Sequence, residues 1–153
     1  MIMISEHISF KEGMYSNTAI RLGISNVPDK DSLVNMQVIA KKIFEPLRIY
    51  VCGPIKISSF YRAPELNEAI GGSTKSQHCQ GCAIDIDDIH GYKTNNQMYH
   101  WVKENLNFDQ IIWEFGDDEN PDWVHISYVN DKDNRNRCLK AYKENRKTKY
   151  KII

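Results

Sequence analysis

The chain has 153 residues, 41% of them hydrophobic and 26% charged, with 20 Lys and Arg balanced against 20 Asp and Glu. That length and composition fit one globular domain with a proper core and exclude a disordered chain. A formal net charge of zero gives no global field to select nucleic acid, and no apolar run approaches the roughly 20 residues that span a bilayer, so membrane insertion is not expected either.

The first residues, Met1 to His7, lack a basic region followed by a long apolar stretch, so the expectation is cytoplasmic synthesis without a signal peptide. Residues 1–30 carry few periodic signals. Leu33, Met36, Val38, Ile39, Ile43 and Leu47 recur mostly at helical spacing, which predicts an amphipathic helix from Ser32 to Leu47 capped by Asp31-Ser32. Ile49 to Val51 and Ile55 to Tyr61 read as strands around Gly53-Pro54. Pro64 opens a short helix to Ile70, ended by Gly71-Gly72-Ser73. Ala83 to Asp88 reads as a strand with Ile84 and Ile86 turned to the core and Asp85 and Asp87 to the opposite face.

A second helix is expected from Asn95 to Leu106. A strand follows from Phe108 to Phe115, with Ile111, Trp113 and Phe115 on one face and Gln110, Ile112 and Glu114 on the other. After a turn from Gly116 to Pro121, Trp123 to Val129 reads as a strand that puts His125 with Trp123 and Ser127. From Lys132 to Lys151 nine Lys and Arg stand against two acids, Asp133 and Glu144. This divides the chain into a unit of residues 1–130 and a basic C-terminal tail, 131–153. The tail reads as a solvated segment, or as one drawn to an anionic envelope polymer. The element pattern predicts an α+β fold, a mainly antiparallel sheet with helices packed on it.

The run His78-Cys79-Gln80-Gly81-Cys82-Ala83-Ile84-Asp85 places an imidazole and a carboxylate seven positions apart across a glycine turn, and His125 follows downstream. Two histidines and one carboxylate make a catalytic zinc set, because three protein ligands leave a fourth position for water. A metal there lowers the pKa of its bound water to about 7 and polarises a carbonyl. Asp122, three residues before His125, is the first candidate for the general base, and Glu114, on the preceding strand, the second. Strict strand alternation puts Asp122 on the face away from His125, so that role requires it to sit in the turn after Pro121. Arg62 is placed to bind a carboxylate or a developing oxyanion. Ser76 and Gln77 are candidates for further substrate hydrogen bonds. Cys79 and Cys82 have the spacing of a metal or redox pair, but no second pair exists, and Cys52 and Cys138 are isolated.

The segments Ser59-Phe60-Tyr61-Arg62-Ala63-Pro64, Leu66-Asn67, Gly71-Gly72-Ser73 and Ser76-Gln77-His78, the His-x-x-Gly-x-Ala-x-Asp stretch and Trp123-Val124-His125 together resemble the zinc D-alanyl-D-alanine carboxypeptidase family. That family also includes peptidoglycan endopeptidases, several of them phage endolysins. The resemblance runs from about His7 to Tyr128. It implies a hedgehog/DD-peptidase-like fold, Zn2+ held by His78, Asp85 and His125, Asp122 as the base, and Arg62 in contact with substrate or transition state. Phe60 and Ala63 stand where members often have glycine and serine, and Phe60 is expected to narrow the pocket or alter substrate choice. Many members carry glutamate where this chain has Asp122, which keeps Glu114 in contention.

The function expected is that of a zinc peptidase cleaving a peptide bond in peptidoglycan stem peptides, as carboxypeptidase or endopeptidase. By family analogy it would be a monomeric phage-type lysin that reaches the cell wall after release. The alternative is a non-catalytic cell-wall-binding or virion structural module that keeps zinc for stability.

Overall fold

The computed structural model describes residues 2–153. Two short strands, β1 (Met3–Ser5) and β2 (Ile8–Ser9), open the chain. They are followed by α1 (Phe10–Met14) and α2 (Asn17–Leu22). These small helices were not apparent in the sequence, yet each begins at a serine cap. Ser9 accepts from the Glu12 amide and Ser16 from the Ala19 amide, each satisfying an amide the helix cannot pair itself.

A longer helical run fills residues 30–51. It comprises α3 (Lys30–Ile39), a π-helical turn (Ala40–Phe44) and α4 (Glu45–Val51). The cap is Asp29, whose side chain accepts from the Ser32 amide at 2.7 Å, rather than Asp31-Ser32. Pro46 lies in the first turn of α4 and offers no amide, and the wider turn sits just before it. Ile49 to Val51 is helix, not strand. Leu47 and Val51 continue the buried stripe begun by Met36, Ile39 and Ile43, while Ile49 is exposed. β-Branched composition suggested a strand there, and packing of the i, i+4 stripe overrides it. Cys52, at φ 57°, ends the run in the left-handed region.

The remaining elements are β3 (Lys56–Ser59), α5 (Pro64–Ala69), a 3-10 turn (Gln77–Gln80), β4 (Ala83–Asp87), α6 (Asn95–Asn105), β5 (Gln110–Glu114), β6 (Trp123–Ser127), β7 (Arg137–Glu144) and β8 (Lys147–Ile152). The last six strands in the chain form one sheet in the order β3-β4-β6-β5-β7-β8. Every pairing in it is antiparallel except β5 with β7. The fold is α+β, as the element pattern implied.

One sheet face packs under the helices. Ile84, Ile86, Ile111, Trp113, Val124 and Ile126 join Met36, Ile39, Ile43, Leu47, Met98, Tyr99 and Val102 in the main core. The other face carries the polar residues and a small apolar cluster of Ile112, Leu139 and Ala141, with Phe115 packed against it. Phe115 therefore lies opposite to Ile111 and Trp113, not with them as alternation predicts. Its φ of 56° turns it out of the strand pleat ahead of Gly116, and its ring comes to rest 5.5 Å from that of Trp123.

The segment expected as a basic tail also belongs to this sheet. β7 pairs with β5 from Gln110 opposite Arg137 to Glu114 opposite Ala141, and β8 folds back on β7. Arg135 fixes its approach by bonding both oxygens of the buried Asp109 carboxylate, at 2.9 and 2.8 Å. Paired ladder bonds and a bidentate guanidinium outweigh the self-repulsion of the basic residues.

Gly81 holds the turn that leads into β4. It has φ +73°, and a Cβ on it would collide with the Ser32 carbonyl and the Met36 side chain. Gly81→Ala is expected to destabilise the protein by about 2–4 kcal/mol, the sum of left-handed strain and overpacking. Urea unfolding followed by circular dichroism measures the loss.

Candidate metal centre

Strand register builds the centre. Asp85 on β4 sits directly opposite His125 on β6, and His125 is in turn opposite Ile112 on β5. Paired residues project from the same face, so two potential ligands share the open face before any loop contributes. His78 comes from the 3-10 turn ahead of β4. The αL residue Gly81 closes that turn, and the Gly81 amide donates to the His78 carbonyl at 3.2 Å.

The ligand atoms of His78, Asp85 and His125 all lie within 4.8 Å of one another. His125 Nδ1 is 2.9 Å from Asp85 Oδ1, and His78 Nε2 is 3.3 Å from the same oxygen. The imidazole rings stand 5.1 Å apart at 72°. His78 and Asp85 are buried, and His125 is partly so.

The other ring nitrogen of His78, Nδ1, is 2.8 Å from the Phe60 carbonyl. A carbonyl only accepts, so Nδ1 carries a hydrogen, and Nε2 is the nitrogen turned to the carboxylate oxygen, where it either bears a proton or offers its lone pair to a metal. Two acceptors facing each other in a buried site require positive charge between them, from a proton or a metal cation. A tetrahedral metal with bonds of about 2.0–2.1 Å has ligand atoms about 3.4 Å apart, close to these separations. The nitrogen, nitrogen and oxygen donors of the cluster fit zinc. The Phe60 carbonyl supplies the outer contact that fixes the tautomer and ring of a metal-bound histidine. Phe60 was expected to narrow the pocket. Its side chain is instead in the core, and its backbone orients His78.

Burial pushes the Asp85 carboxyl up. The charges of His78 and His125 and their hydrogen bonds more than offset this and hold it well below the usual carboxylate range. Glu114 behaves oppositely. It is buried on the same face, with its backbone opposite Trp123 and two residues from the His125 row. Burial raises its pKa to about 7; His125 pulls it down and the Asp85 charge pushes it up. Burial has thus moved this carboxyl toward the pKa range in which a general base works best.

Asp122 lies in the turn just before β6 and is exposed. Its backbone is pinned at both ends: the amide donates to the Glu114 carbonyl at 2.9 Å, and the carbonyl accepts from Asn95 at 3.2 Å.

Arg62 is held beside the cluster. Its amide donates to the His78 carbonyl at 3.2 Å, and its guanidinium donates to Asn67 Oδ1 at 3.2 Å and to Ser59 Oγ at 3.3 Å. Ser59 is itself paired opposite Asp85. Asn67 also donates to the Ser73 carbonyl, and a Cβ on Gly72 would strike its side-chain oxygen. The Leu66-Asn67 and Gly71-Gly72-Ser73 motifs thus form a bracket for Arg62.

Ser76 starts the 3-10 turn, half-buried. The Gln77 amide nitrogen donates to Asp109 Oδ2 at 3.0 Å and ties that turn to Arg135 through the shared carboxylate. Asn26 is a positioning residue the sequence reading missed. It donates to the Met14 and Tyr61 carbonyls and accepts from the Ala63 amide, stapling the N-terminal segment to the Arg62 loop. A lone asparagine in a polar stretch gave no pattern by which to find it. Burial raises the thiol pKa of both Cys79 and Cys82, the reverse of what activates a redox thiol.

An α+β domain with two imidazoles and a carboxylate converging on an open sheet face, and a near-neutral carboxyl beside them, has the constitution of a metal-dependent hydrolase. The chain belongs to the peptidase M15 family, whose model matches residues 6–127. It is thereby a metallopeptidase of a zinc-dependent family, with a peptide-containing substrate. No curated protein matches the chain in sequence.

Zinc binding measured by calorimetry is expected for the wild-type protein and lost in His78→Ala. Glu114 also makes the metal-free protein sensitive to pH. Its carboxyl titrates near 4.5 when unfolded and about 7 when folded. The folded state therefore binds more protons between those values, and stability falls as pH rises through that window. Glu114→Gln should remove that slope, worth about 3 kcal/mol at most, in urea unfolding curves of the metal-free protein at pH 4.5 and 7.5.

Proposed function

We propose that this protein is a zinc peptidase that hydrolyses a peptide bond in peptidoglycan stem peptides. The observation that carries the reading is the convergence of His78, Asp85 and His125 on one sheet face with the buried Glu114 carboxyl beside them. His78, Asp85 and His125 would hold the zinc, which would supply a Lewis acid for the scissile carbonyl and the attacking water.

Glu114 takes the proton from the attacking water and returns it to the leaving amine. A base is most effective when its pKa is near the working pH, and burial brings Glu114 there. Asp122 is the other candidate. Its exposure and its position before the strand support a role in fixing the turn through its backbone. Arg62, held by Asn67 and Ser59, binds a substrate carboxylate or the oxyanion. Ser76 and the free carbonyl end of the Gln77 side chain line the approach and position the peptide. The basic strands after residue 130 support action on an anionic envelope polymer, the setting of a phage-type lysin, with residues 1–130 as the peptidase unit and 131–153 as its basic extension.

Incubation of purified protein with peptidoglycan should release new free amines, with turnover abolished by EDTA and restored by zinc. Mass spectrometry of the muropeptides then identifies the bond and separates carboxypeptidase from endopeptidase action. Binding to peptidoglycan without turnover would instead indicate a structural or cell-wall-binding module. Glu114→Gln should retain zinc and slow turnover by roughly 10²–10⁴, and Asp122→Ala should retain most activity. The opposite pair of results would move the base to Asp122.

Asn67→Ala tests the bracket around Arg62. It should reduce kcat/KM by about tenfold, with the measured zinc affinity unchanged, because a guanidinium free to swing loses orientation.

A further inference from the structure

The open sheet face continues past β5 into strands that lie outside the family match. Glu114 on β5 is opposite Ala141 on β7, and Ala141 is opposite Tyr150 on β8. Glu114, Ala141 and Tyr150 therefore form one row on the face that carries Asp85 and His125. Ala141 is fully buried and has the smallest side chain that could occupy the middle of the row. Backbones two strands apart are about 10 Å distant. Only a long side chain crosses that gap, and a phenol does so over an alanine.

We propose that Tyr150 is a substrate-contacting residue of this centre, and that its phenol hydroxyl donates a hydrogen bond to a carboxylate or oxyanion of the bound peptide beside Glu114. The assignment rests on the peptidase reading for the identity of the ligand, and on strand register for the position of the residue.

Five features support it. Tyr150 remains 55% exposed, so the phenol is open to a ligand. Among the described residues its hydroxyl has no hydrogen-bond partner. Burial, with the charges of Glu114 and Asp85, raises its pKa, so it stays a neutral donor at working pH. The neighbouring lysines lie on the other face: Lys151 sits over the Tyr142 ring at 5.7 Å. The row is flanked by aromatic surface, where Phe115 rests against Trp123 and Lys143 lies over Phe115 at 5.3 Å. A peptide entering along β5 and β6 thus meets an apolar wall, with the Tyr150 hydroxyl as the neutral donor on the side away from Arg62.

The decisive comparison is the zinc-loaded wild type against Tyr150→Phe, which removes one oxygen and keeps the ring. The expected result is a loss of about 10–100-fold in kcat/KM on purified muropeptides. A dipeptide phosphinate analogue should bind more weakly by a similar factor in calorimetry, with zinc affinity and melting temperature unchanged. Values within twofold of wild type in both assays would overturn the proposal.

If the wild type turns over no muropeptide and binds no phosphinate, the peptidase reading fails, and Tyr150 is tested separately. The tyrosine absorbance titration at 295 nm, wild type minus Tyr150→Phe, should show a component that moves to lower pH when zinc is added. A component that zinc leaves unmoved would show that the phenol does not face the centre, and would overturn its placement as well.

Discussion

At the centre of this protein two imidazoles converge on one carboxylate oxygen. His78 Nε2 faces Asp85 Oδ1 at 3.3 Å because the Phe60 carbonyl holds Nδ1 on the other side of the ring. His125 reaches the same oxygen from the next strand at 2.9 Å. The arrangement is stable only with positive charge among the three side chains. Much of the surrounding structure holds them in that relation: the β4–β6 register that sets Asp85 against His125, the left-handed Gly81 that brings His78 over them, and the Phe60 carbonyl just past the end of β3. A fold that closes around an electrostatic deficit reserves a place for a cation.

Much of this site was legible in the sequence, because strand alternation is a strict geometric rule. Ile84 and Ile86 bracket Asp85, Val124 and Ile126 bracket His125, and those isoleucines and valine are all buried in the core. The carboxylate and imidazole had to emerge on the opposite face. The same rule signalled that Asp122 is out of phase with His125, whereas the register of β5 on β6 is what places Glu114 on the His125 face. Family resemblance favoured Asp122, and the buried, near-neutral carboxyl is that of Glu114.

What escaped the sequence depended on long-range contacts or on departures from regular backbone. Ile49 to Val51 looked like a strand because local composition cannot show that Leu47 and Val51 extend a stripe begun at Met36. Phe115 changed faces through a single positive φ, which a phenylalanine does not advertise. The basic segment after residue 130 reads from sequence as a tail, solvated or drawn to an anionic polymer, because its charge is conspicuous. Its ordering signal is the buried Asp109 carboxylate 26 positions upstream of Arg135, and no local pattern connects the two.

That last contact bears on how the centre works. Asp109 receives Arg135 on one side and the Gln77 amide nitrogen on the other, and Gln77 immediately precedes His78. The carboxylate is held below its ordinary range chiefly by its bond to Arg135, with Gln77 contributing. It therefore stays charged and keeps both donors. The strand pair that extends the sheet and the turn that delivers a candidate ligand thus share one anchor. Loosening the C-terminal strands would take Arg135 from Asp109 and leave that carboxylate with Gln77 as its remaining side-chain donor. The basic hairpin is then joined to the centre twice, through the open face by way of Ala141 and through the edge of the cluster by way of Asp109. A peptidase that extended its sheet in this way would gain cleft surface and a firmer hold on its first histidine from the same two strands.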